Sequence, residues 1–241
     1  MRKITINLAA VAAFCIVVAS PALVSSSCAT PQTEQEDTTI IREDLGITAL
    51  KYSSPEVPSS IEFCGKVIDL SRFDRHERMD RELLAFTYMH STSLQMLKKA
   101  NRYFPIVEPI LKENGIPDDF KYLMVIESNM NPTARSSAGA AGLWQFMQGT
   151  GRDYGLEVNN NVDERYHIEK ATRAACRYLK DAYAKYKDWV AVAASYNAGQ
   201  ARIASQLAKQ DVDDSLDLQL VEETARYVYR ILAAKQLFNA P

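Results

Sequence analysis

The sequence has little of what metal and redox sites are built from. Its 241 residues include three histidines, which lie far apart and form no H-E-x-x-H pair. The four cysteines include no C-x-x-C motif. Because zinc sites and dithiol redox centres depend on such closely spaced ligands, we expect neither a metal site nor a redox pair.

The chain also lacks an excess of positive charge. It carries 28 lysines and arginines against 30 aspartates and glutamates, a formal net charge of −2. Domains that bind nucleic acid depend on a basic surface, so we expect no nucleic-acid partner. Hydrophobic residues make up 47% and charged residues 24% of the chain, which is typical of a globular protein and excludes collagen-like and disordered classes.

A long hydrophobic run lies at the N-terminus. Arg2 and Lys3 precede an apolar stretch from Ile4 to Val24, which predicts a signal peptide over residues 1–27. Small residues then lead to Cys28, and this resembles a bacterial lipoprotein box in which the cysteine becomes lipidated. Cleavage at a nearby serine and an uncleaved anchor are the alternatives. Each places the rest of the chain outside the cytoplasm, and we expect a periplasmic lipoprotein of the cell envelope.

After the signal peptide, the composition predicts a tether followed by helices. Residues 28–60 carry Thr, Ser, Gln, Glu and Pro with little apolar periodicity, which favours a flexible tether. From about Met79 apolar residues recur at helical spacing, and Pro105 and Pro109 are expected to end this helix. Phe63–Leu70 is the one strand candidate.

Helical patterns continue through the second half of the sequence. A proline and two aspartates at 117–119 predict a helix start, and amphipathic patterns predict helices over Ile168–Ala182, Trp189–Ala198 and Glu222–Phe238. We therefore predict a predominantly all-α fold. A helical region over 61–115 is expected to pack on a helical domain over 116–241.

Glu127 is the candidate for acid–base chemistry. The apolar stripe Phe120, Leu123, Met124 continues to Glu127 at helical spacing, which directs this carboxyl towards the core. Burial raises the pKa of a carboxyl group, and a carboxylic acid that stays protonated near neutral pH can act as a general acid. The alternative is a structural ion pair with Arg135 or Arg226.

The segments after Glu127 combine small residues with polar and aromatic ones. In the 137–147 segment, Trp144 offers a flat apolar face, and Gln145 offers both a donor and an acceptor, as sugar recognition requires. The alternative is that Trp144 is a core residue. Near 196, Tyr196 and Asn197 stand beside small residues at a predicted helix end, where they could also serve only as a cap.

Four motifs in order along the chain resemble those of the lytic transglycosylase SLT domain family. The resemblance is closest to MltD-type, membrane-bound murein transglycosylases, and it extends from about residue 55 to 238. The C-terminal LysM repeats of many such proteins are absent, so tethering is expected from the N-terminus. The motifs are Glu127-Ser128 with Asn131-Pro132, Gly142-Leu143-Trp144-Gln145-Phe146-Met147, Ser195-Tyr196-Asn197-Ala198-Gly199 and Glu223-Thr224-Ala225-Arg226-Tyr227-Val228.

The resemblance implies a lysozyme-like catalytic domain over 116–241. It implies cleavage of the β-1,4 bond between N-acetylmuramic acid and N-acetylglucosamine in peptidoglycan, without water and without a cofactor, leaving 1,6-anhydro ends. By analogy Glu127 is the general acid and then the base, and Tyr227 orients it. The implied substrate-binding residues are Ser128, Gln145, Tyr196, Asn197, Glu223 and Tyr227.

Two other functions remain open from the sequence. A lysozyme-like hydrolase would use the same fold with a second catalytic group, and no second acid stands out beside the motifs. A wall-binding scaffold would have no use for a desolvated carboxyl at Glu127. Cys64 and Cys176 could pair in an oxidising compartment or remain two isolated thiols.

Overall fold

The computed structural model describes residues 55–89 and 91–239. The predicted signal peptide, the lipidation site at Cys28 and most of the predicted tether lie outside these residues. Within the described ranges, every helix is too short or too polar to cross a membrane.

The described chain is mostly helical, as the sequence predicted. A small β-hairpin precedes eight α-helices, and short 3-10 turns occur at Asp118–Phe120, Glu164–Tyr166 and Ser215–Asp217. The elements are β1 (Ser60–Phe63), β2 (Lys66–Asp69), α1 (Phe73–Thr87), α2 (Ser91–Glu113), α3 (Lys121–Ser128), α4 (Gln148–Asp153), α5 (Ile168–Tyr186), α6 (Trp189–Ala198), α7 (Gln200–Lys209) and α8 (Glu222–Asn239).

The hairpin extends the single strand candidate into two paired strands. Ser60 to Phe63 pairs antiparallel with Lys66 to Asp69, and the turn residues Cys64 and Gly65 both have positive φ. Alternate side chains of the strands enter the core, so the hairpin covers one part of the helical domain. The region from 61 to 115 therefore begins with a hairpin at the place of the strand candidate, and the helices follow it.

The prediction that Pro105 and Pro109 end a helix is wrong. Helix α2 continues through both prolines to Glu113. Each proline leaves the carbonyl four residues earlier without its helical donor, and those carbonyls belong to Asn101 and Pro105. Because Asn101, Pro105 and Pro109 all lie on the exposed face, water can bond the free carbonyls while the opposite face stays packed.

Helix α8 lies at the centre of the packing. It contacts α1, α3 and α6, and it buries side chains from Thr224 to Ala234. Helix α5 packs against α2 and α6.

Two helices were not predicted: α4 has only six residues, two of them glycine, and α7 buries only Ile203. Neither offers a long apolar stripe.

Arg165 fixes the loop that connects α3 to α4. Its side chain is 1% exposed, and Nη1 donates to the carbonyls of Gly139 and Phe146 at 2.7 and 2.9 Å. Asp163 compensates the buried charge, since its carboxylate accepts from Nη2 at 2.7 Å and from Nε at 2.9 Å. A guanidinium with these partners holds two distant points of the loop together.

Gly142 occupies a position that only glycine can take. Its φ is +79°, and a Cβ atom added there would lie 2.0 Å from the carbonyl oxygen of Arg165. Gly149 in α4 differs in both respects, because its φ is ordinary for an L-residue and a Cβ atom added there would meet no other atom within 4 Å.

We expect Gly142→Ala to lower the free energy of unfolding by about 3 kcal/mol, because it adds backbone strain to a steric clash. The matched change Gly149→Ala should raise it by about 0.5 kcal/mol, since alanine restricts the unfolded chain more than glycine does. Urea unfolding of the two variants and the wild type measures both effects. Equal midpoints for the two variants would contradict this account of the loop.

Candidate active site

Glu127 lies in the last turn of α3. The helix ends directly afterwards, because Asn129 and Met130 both adopt left-handed backbone conformations with φ of 49° and 57°. This agrees with the predicted break after Ser128. The side chains of the preceding turn, including Val125 and Ile126, are buried on every side of the helix. Glu127 therefore extends from an apolar helix and is itself partly buried.

The carboxyl group of Glu127 is bonded to Tyr227. The Tyr227 hydroxyl, which is buried on α8, donates to Oε1 of Glu127. Burial raises the pKa of Glu127 to about 7, while the Tyr227 hydrogen bond and the positive charge of Arg230 lower it. The negative charge of Glu223 adds to the increase. The group is thus balanced between its acid and its carboxylate forms near neutral pH.

The alternative of a structural ion pair for Glu127 is wrong. Arg226 binds another carboxylate, that of Glu82, at 2.7 Å. In the part of the chain that the structure describes, no lysine, arginine or histidine lies within 4.0 Å of the Glu127 carboxylate, and Arg135 is exposed. The positive charge that acts on Glu127 is that of Arg230, which lowers the pKa of this carboxyl.

A cleft of about 300 Å³ brings together three of the predicted binding residues. Gln145 reaches it from the α3–α4 loop, and Tyr196 and Asn197 reach it from the last turn of α6. The negative charge of Glu127 raises the pKa of Tyr196, in addition to the larger effect of burial, so Glu127 acts electrostatically on one wall of the cleft without being one of its lining residues. The full lining is Gln145, Phe146, Met147, Thr150, Tyr178, Tyr196, Asn197, Ala198 and Gly199.

Gln145 is held in place by its own amide group. Its Nε2 donates to the carbonyls of Gly142 at 2.8 Å and Ala134 at 3.2 Å, and its φ is +49°. The amide nitrogen is therefore occupied within the loop. Only the amide oxygen remains available to a ligand, which corrects the expectation that Gln145 offers both a donor and an acceptor.

Trp144 is a core residue and not a sugar platform. Its side chain has no exposed surface, and Nε1 donates to Oγ1 of Thr172 at 2.9 Å. The expectation of a flat face towards the ligand is thus wrong, and the alternative of a core role is confirmed. The aromatic rings that do line the cleft are those of Phe146, Tyr178 and Tyr196.

Tyr196 and Asn197 do more than cap α6, because Gly199 provides the cap. The Tyr196 hydroxyl donates to the carbonyl of Trp144 at 2.7 Å, which joins α6 to the loop. Asn197 contacts the start of α8: its amide nitrogen donates to Glu223 at 3.4 Å, and its amide oxygen accepts from Thr224 at 2.9 Å.

The other two predicted residues differ in exposure. Ser128 is buried beside Glu127, and its hydroxyl donates to the carbonyl of Met124 at 2.9 Å within α3. Glu223 is exposed at the first turn of α8, where its charge acts on Glu127.

Sequence reasoning did not name Arg230 or most of the lining residues of the cleft as site residues, although Phe146, Met147, Ala198 and Gly199 lie within the quoted motifs. Arg230 lies three residues after Tyr227, so both occupy one side of α8, and this spacing was the available signal. Tyr178 belongs to the apolar stripe of α5, where nothing distinguishes it from a core residue. Met147 and Thr150 flank the start of the unpredicted helix α4.

The two described cysteines are free thiols in separate environments. Burial raises the pKa of Cys176 to about 11, and it also raises the pKa of Cys64. The possible disulfide between them is not formed. Among the described residues, no group of three His, Cys, Asp or Glu side chains could hold a metal ion.

The raised pKa of Glu127 predicts a pH-dependent cost in stability. The unfolded group titrates near 4.5 and the folded group near 7, so the cost of Glu127 to stability is absent below pH 4.5 and grows as the pH rises to 7. Glu127→Gln removes this cost. We expect its stability advantage over the wild type to grow by about 2 kcal/mol between pH 5 and pH 8.

Urea unfolding at both pH values measures this difference. The control Glu77→Gln changes an exposed glutamate of α1, and its difference from the wild type should stay nearly constant. A constant difference for Glu127→Gln as well would mean that the pKa of Glu127 is not raised.

Comparisons with known proteins agree with the motifs. Residues 105–217 match the family model of the Transglycosylase SLT domain. Membrane-bound lytic murein transglycosylase D of Escherichia coli (strain K12) is 30% identical over 168 residues, which are 68% of this chain and 36% of that protein. Membrane-bound lytic murein transglycosylase C of Haemophilus ducreyi is 29% identical over 150 residues, which are 56% of this chain and 40% of that protein.

A solved structure of an inactive mutant of the lytic transglycosylase Slt from Pseudomonas aeruginosa is similar over 70% of this chain and 31% of its own, with 22% identity and a TM-score of 0.48. The chain spans 36% of the length of the Escherichia coli relative. The resemblance that the motifs indicated is confirmed by the family match: residues 105–217 form a transglycosylase SLT domain.

Proposed function

We propose that the chain is a peptidoglycan lytic transglycosylase. It cleaves the β-1,4 bond between N-acetylmuramic acid and N-acetylglucosamine and leaves 1,6-anhydro-muramic acid ends. The SLT domain and the names of the relatives support this activity. The observation that carries it is the partly buried carboxyl of Glu127, bonded to Tyr227, with its pKa raised to about 7 beside a cleft.

Glu127 acts first as a general acid. In its protonated form it gives its proton to the glycosidic oxygen as the bond to the anomeric carbon breaks, so the departing sugar leaves with a neutral hydroxyl group. Burial supplies the acid at neutral pH, because it disfavours the carboxylate form. The step leaves Glu127 ionised.

Glu127 then acts as the base. Its carboxylate takes the proton from the C6 hydroxyl of the muramic acid, and the C6 oxygen forms the new bond to the anomeric carbon. This returns the proton to Glu127 and closes the cycle without water. The Tyr227 hydrogen bond and the charge of Arg230 favour the carboxylate, so they stabilise the form that exists between the two steps.

The cleft residues bind the sugars on either side of the reacting bond. Gln145 accepts hydrogen bonds through its amide oxygen, and the half-buried ring of Tyr196 supplies an apolar face in place of Trp144. Asn197 and Glu223 form the polar edge next to α8. Ser128 contributes through α3, where its hydroxyl supports the turn that carries Glu127.

We further propose that the protein acts in the cell envelope as a periplasmic lipoprotein. Lipidation of Cys28 would tether it to a membrane, with residues 28–60 as the flexible connection. The basic and apolar N-terminus supports this proposal.

A hydrolase is the second candidate function, and one observation favours it. Glu223 is close enough to raise the pKa of Glu127, so a second carboxylate is present at the same site. Glycosidases that use water place two carboxyl groups on either side of the bond. Glu223 would then activate the water, and the product would carry a reducing end.

Product analysis separates these functions. We expect the full chain to release muropeptides with 1,6-anhydro-muramic acid ends from purified murein sacculi, as measured by mass spectrometry. Glu127→Gln should release none, because an amide cannot donate or accept the proton.

Glu223→Gln is the control for the hydrolase. It should still give anhydro ends if the C6 hydroxyl is the nucleophile. Products that are one water heavier would establish hydrolysis instead. Sacculi that bind the protein and stay intact would indicate a wall-binding scaffold.

We expect Tyr227→Phe to lower kcat about tenfold, because the carboxylate loses the donor that orients it and stabilises its charge. Loss of this bond also raises the pKa of Glu127. The fall in activity at high pH, which in the wild type follows loss of the acid form near pH 7, should move to higher pH. A pH–rate profile measures both effects.

Tyr229→Phe is the matched control. Tyr229 lies two residues further along α8 and is equally buried, but its hydroxyl has no hydrogen-bond partner among the described residues. Its removal should leave the profile unchanged. An unchanged profile for Tyr227→Phe would show that its hydroxyl plays no part in the reaction.

A further inference from the structure

Helix α1 carries a buried carboxylate that faces α8. Glu82 is 1% exposed, and both of its oxygens accept from Arg226: Nε donates to Oε1 at 2.7 Å, and Nη2 donates to Oε2 at 3.1 Å. Arg81 adds a third donor to Oε1 at 3.1 Å. The same Arg81 reaches Glu222 at 2.8 Å, so two ion pairs join α1 to the first turns of α8.

This arrangement has a cost that packing alone does not explain. A carboxylate out of water is unfavourable unless it is fully paired, and apolar residues would join two helices equally well. A forked pair differs from apolar contact because it fixes the direction of the partner side chain. Glu82 therefore sets the rotation of α8 about its own axis at Arg226.

The rotation of α8 at this point determines where Tyr227 lies. Arg226 and Tyr227 are consecutive, so their side chains leave the helix about 100° apart. One is directed to Glu82 on α1, and the other to Glu127 on α3. Because the Tyr227 hydroxyl stands at the end of a long side chain, a small rotation of α8 moves it away from the carboxyl.

We propose that Glu82 is a positioning residue for the candidate acid, which it serves by holding Arg226 and thereby directing the Tyr227 hydroxyl onto Glu127. The inference rests on the proposed function for its catalytic meaning. It also means that residues outside the matched SLT domain act on the site, because Glu82 precedes residues 105–217 and Arg226 follows them.

Glu82 acts through another residue and not directly on Glu127. The groups that influence the pKa of Glu127 are Tyr227, Glu223 and Arg230, all from α8. From α6, Tyr196 faces the same carboxyl. Glu82 is not one of the groups that shift the pKa of Glu127, and its hydrogen bonds are with Arg81 and Arg226.

The test compares Glu82→Gln with Arg75→Gln in the full chain. Arg75 is a matched control because it is a buried, ion-paired residue of the same helix, but it holds Asp214 and Asp217 before α8. The measurements are kcat and KM on murein sacculi, the pH–rate profile, and the pKa of Glu127 by carbon-13 NMR titration of its side-chain carboxyl.

We expect Glu82→Gln to lower kcat about tenfold with little change in KM, since the acid is misplaced while the cleft is intact. The pKa of Glu127 should rise, because the Tyr227 bond is weakened. The direction of this change is diagnostic. Loss of a negative charge alone would lower the pKa of a neighbouring acid, so an increase would come from displacement of the α8 groups that lower this pKa, Tyr227 and Arg230. Arg75→Gln should alter neither kcat nor this pKa.

The double variant Glu82→Gln/Arg226→Gln tests whether the two residues act as one device. It should be no more impaired than Glu82→Gln alone, because the pair is already broken. Additive losses in kcat would indicate that each residue acts separately, and this would overturn the proposed route through Arg226.

Two further results would overturn the inference. If Glu82→Gln lowers the unfolding midpoint but leaves kcat and the pKa of Glu127 unchanged, then Glu82 is only structural. If Arg75→Gln causes the same losses, then general loosening of α1 is responsible. A wild-type chain that releases no product from sacculi would contradict the proposed function, and the NMR titration would still decide whether Glu82 positions Tyr227.

Discussion

The hydrogen bond between Tyr227 and Glu127 joins two helices that are a hundred residues apart in the chain. It forms where α8 crosses the end of α3, and the surrounding apolar groups remove the carboxyl from water. Burial and the hydroxyl donor act on the pKa of Glu127 in opposite directions. The value near 7 therefore depends on how α3 and α8 pack against each other, and each helix that fixes α3 or α8 contributes to it.

Two buried charges support the site from opposite sides. Arg165 holds the loop from Gly139 to Phe146, which forms one wall of the cleft, and Asp163 compensates its charge. Glu82 lies on the other side and holds α8 through Arg226. Arg165 and Glu82 each form several hydrogen bonds at once, and these fix the orientation of their partner groups, which apolar packing does not. In both cases ionic groups that do not themselves line the cleft hold the elements around it.

Local patterns predicted the helices well and their interruptions poorly. Helix α6 has the predicted bounds, and α5 begins at the predicted residue, because one face of α5 is apolar and α6 has a clear start at Asp188. Pro105 and Pro109 misled the prediction, since the sequence does not reveal that both face water. Helix α7 was missed because its packing depends on a single buried residue.

For the site, the structure brings the predicted residues Gln145 and Tyr196 together at one cleft and places Glu127 in a partly buried position, but the motifs did not reveal the contacts that each side chain makes. The apolar stripe predicted that Glu127 faces the core, but it treated α3 as a helix with one buried face. In the structure α3 is buried on nearly every side. Trp144 is a core residue whose indole nitrogen bonds to Thr172. The amide nitrogen of Gln145 is occupied by two backbone carbonyls that only the folded loop brings near. Such long-range partners have no local signal in a sequence.

The separation between α3 and α8 has a consequence for biosynthesis. A chain is synthesised from its N-terminus, so Glu127 is made about a hundred residues before the tyrosine that bonds to it. Until α8 docks, the carboxyl is neither fully desolvated nor directed. The order of the elements along the chain thus leaves the carboxyl without this hydrogen bond until the C-terminal helix has been made and packed.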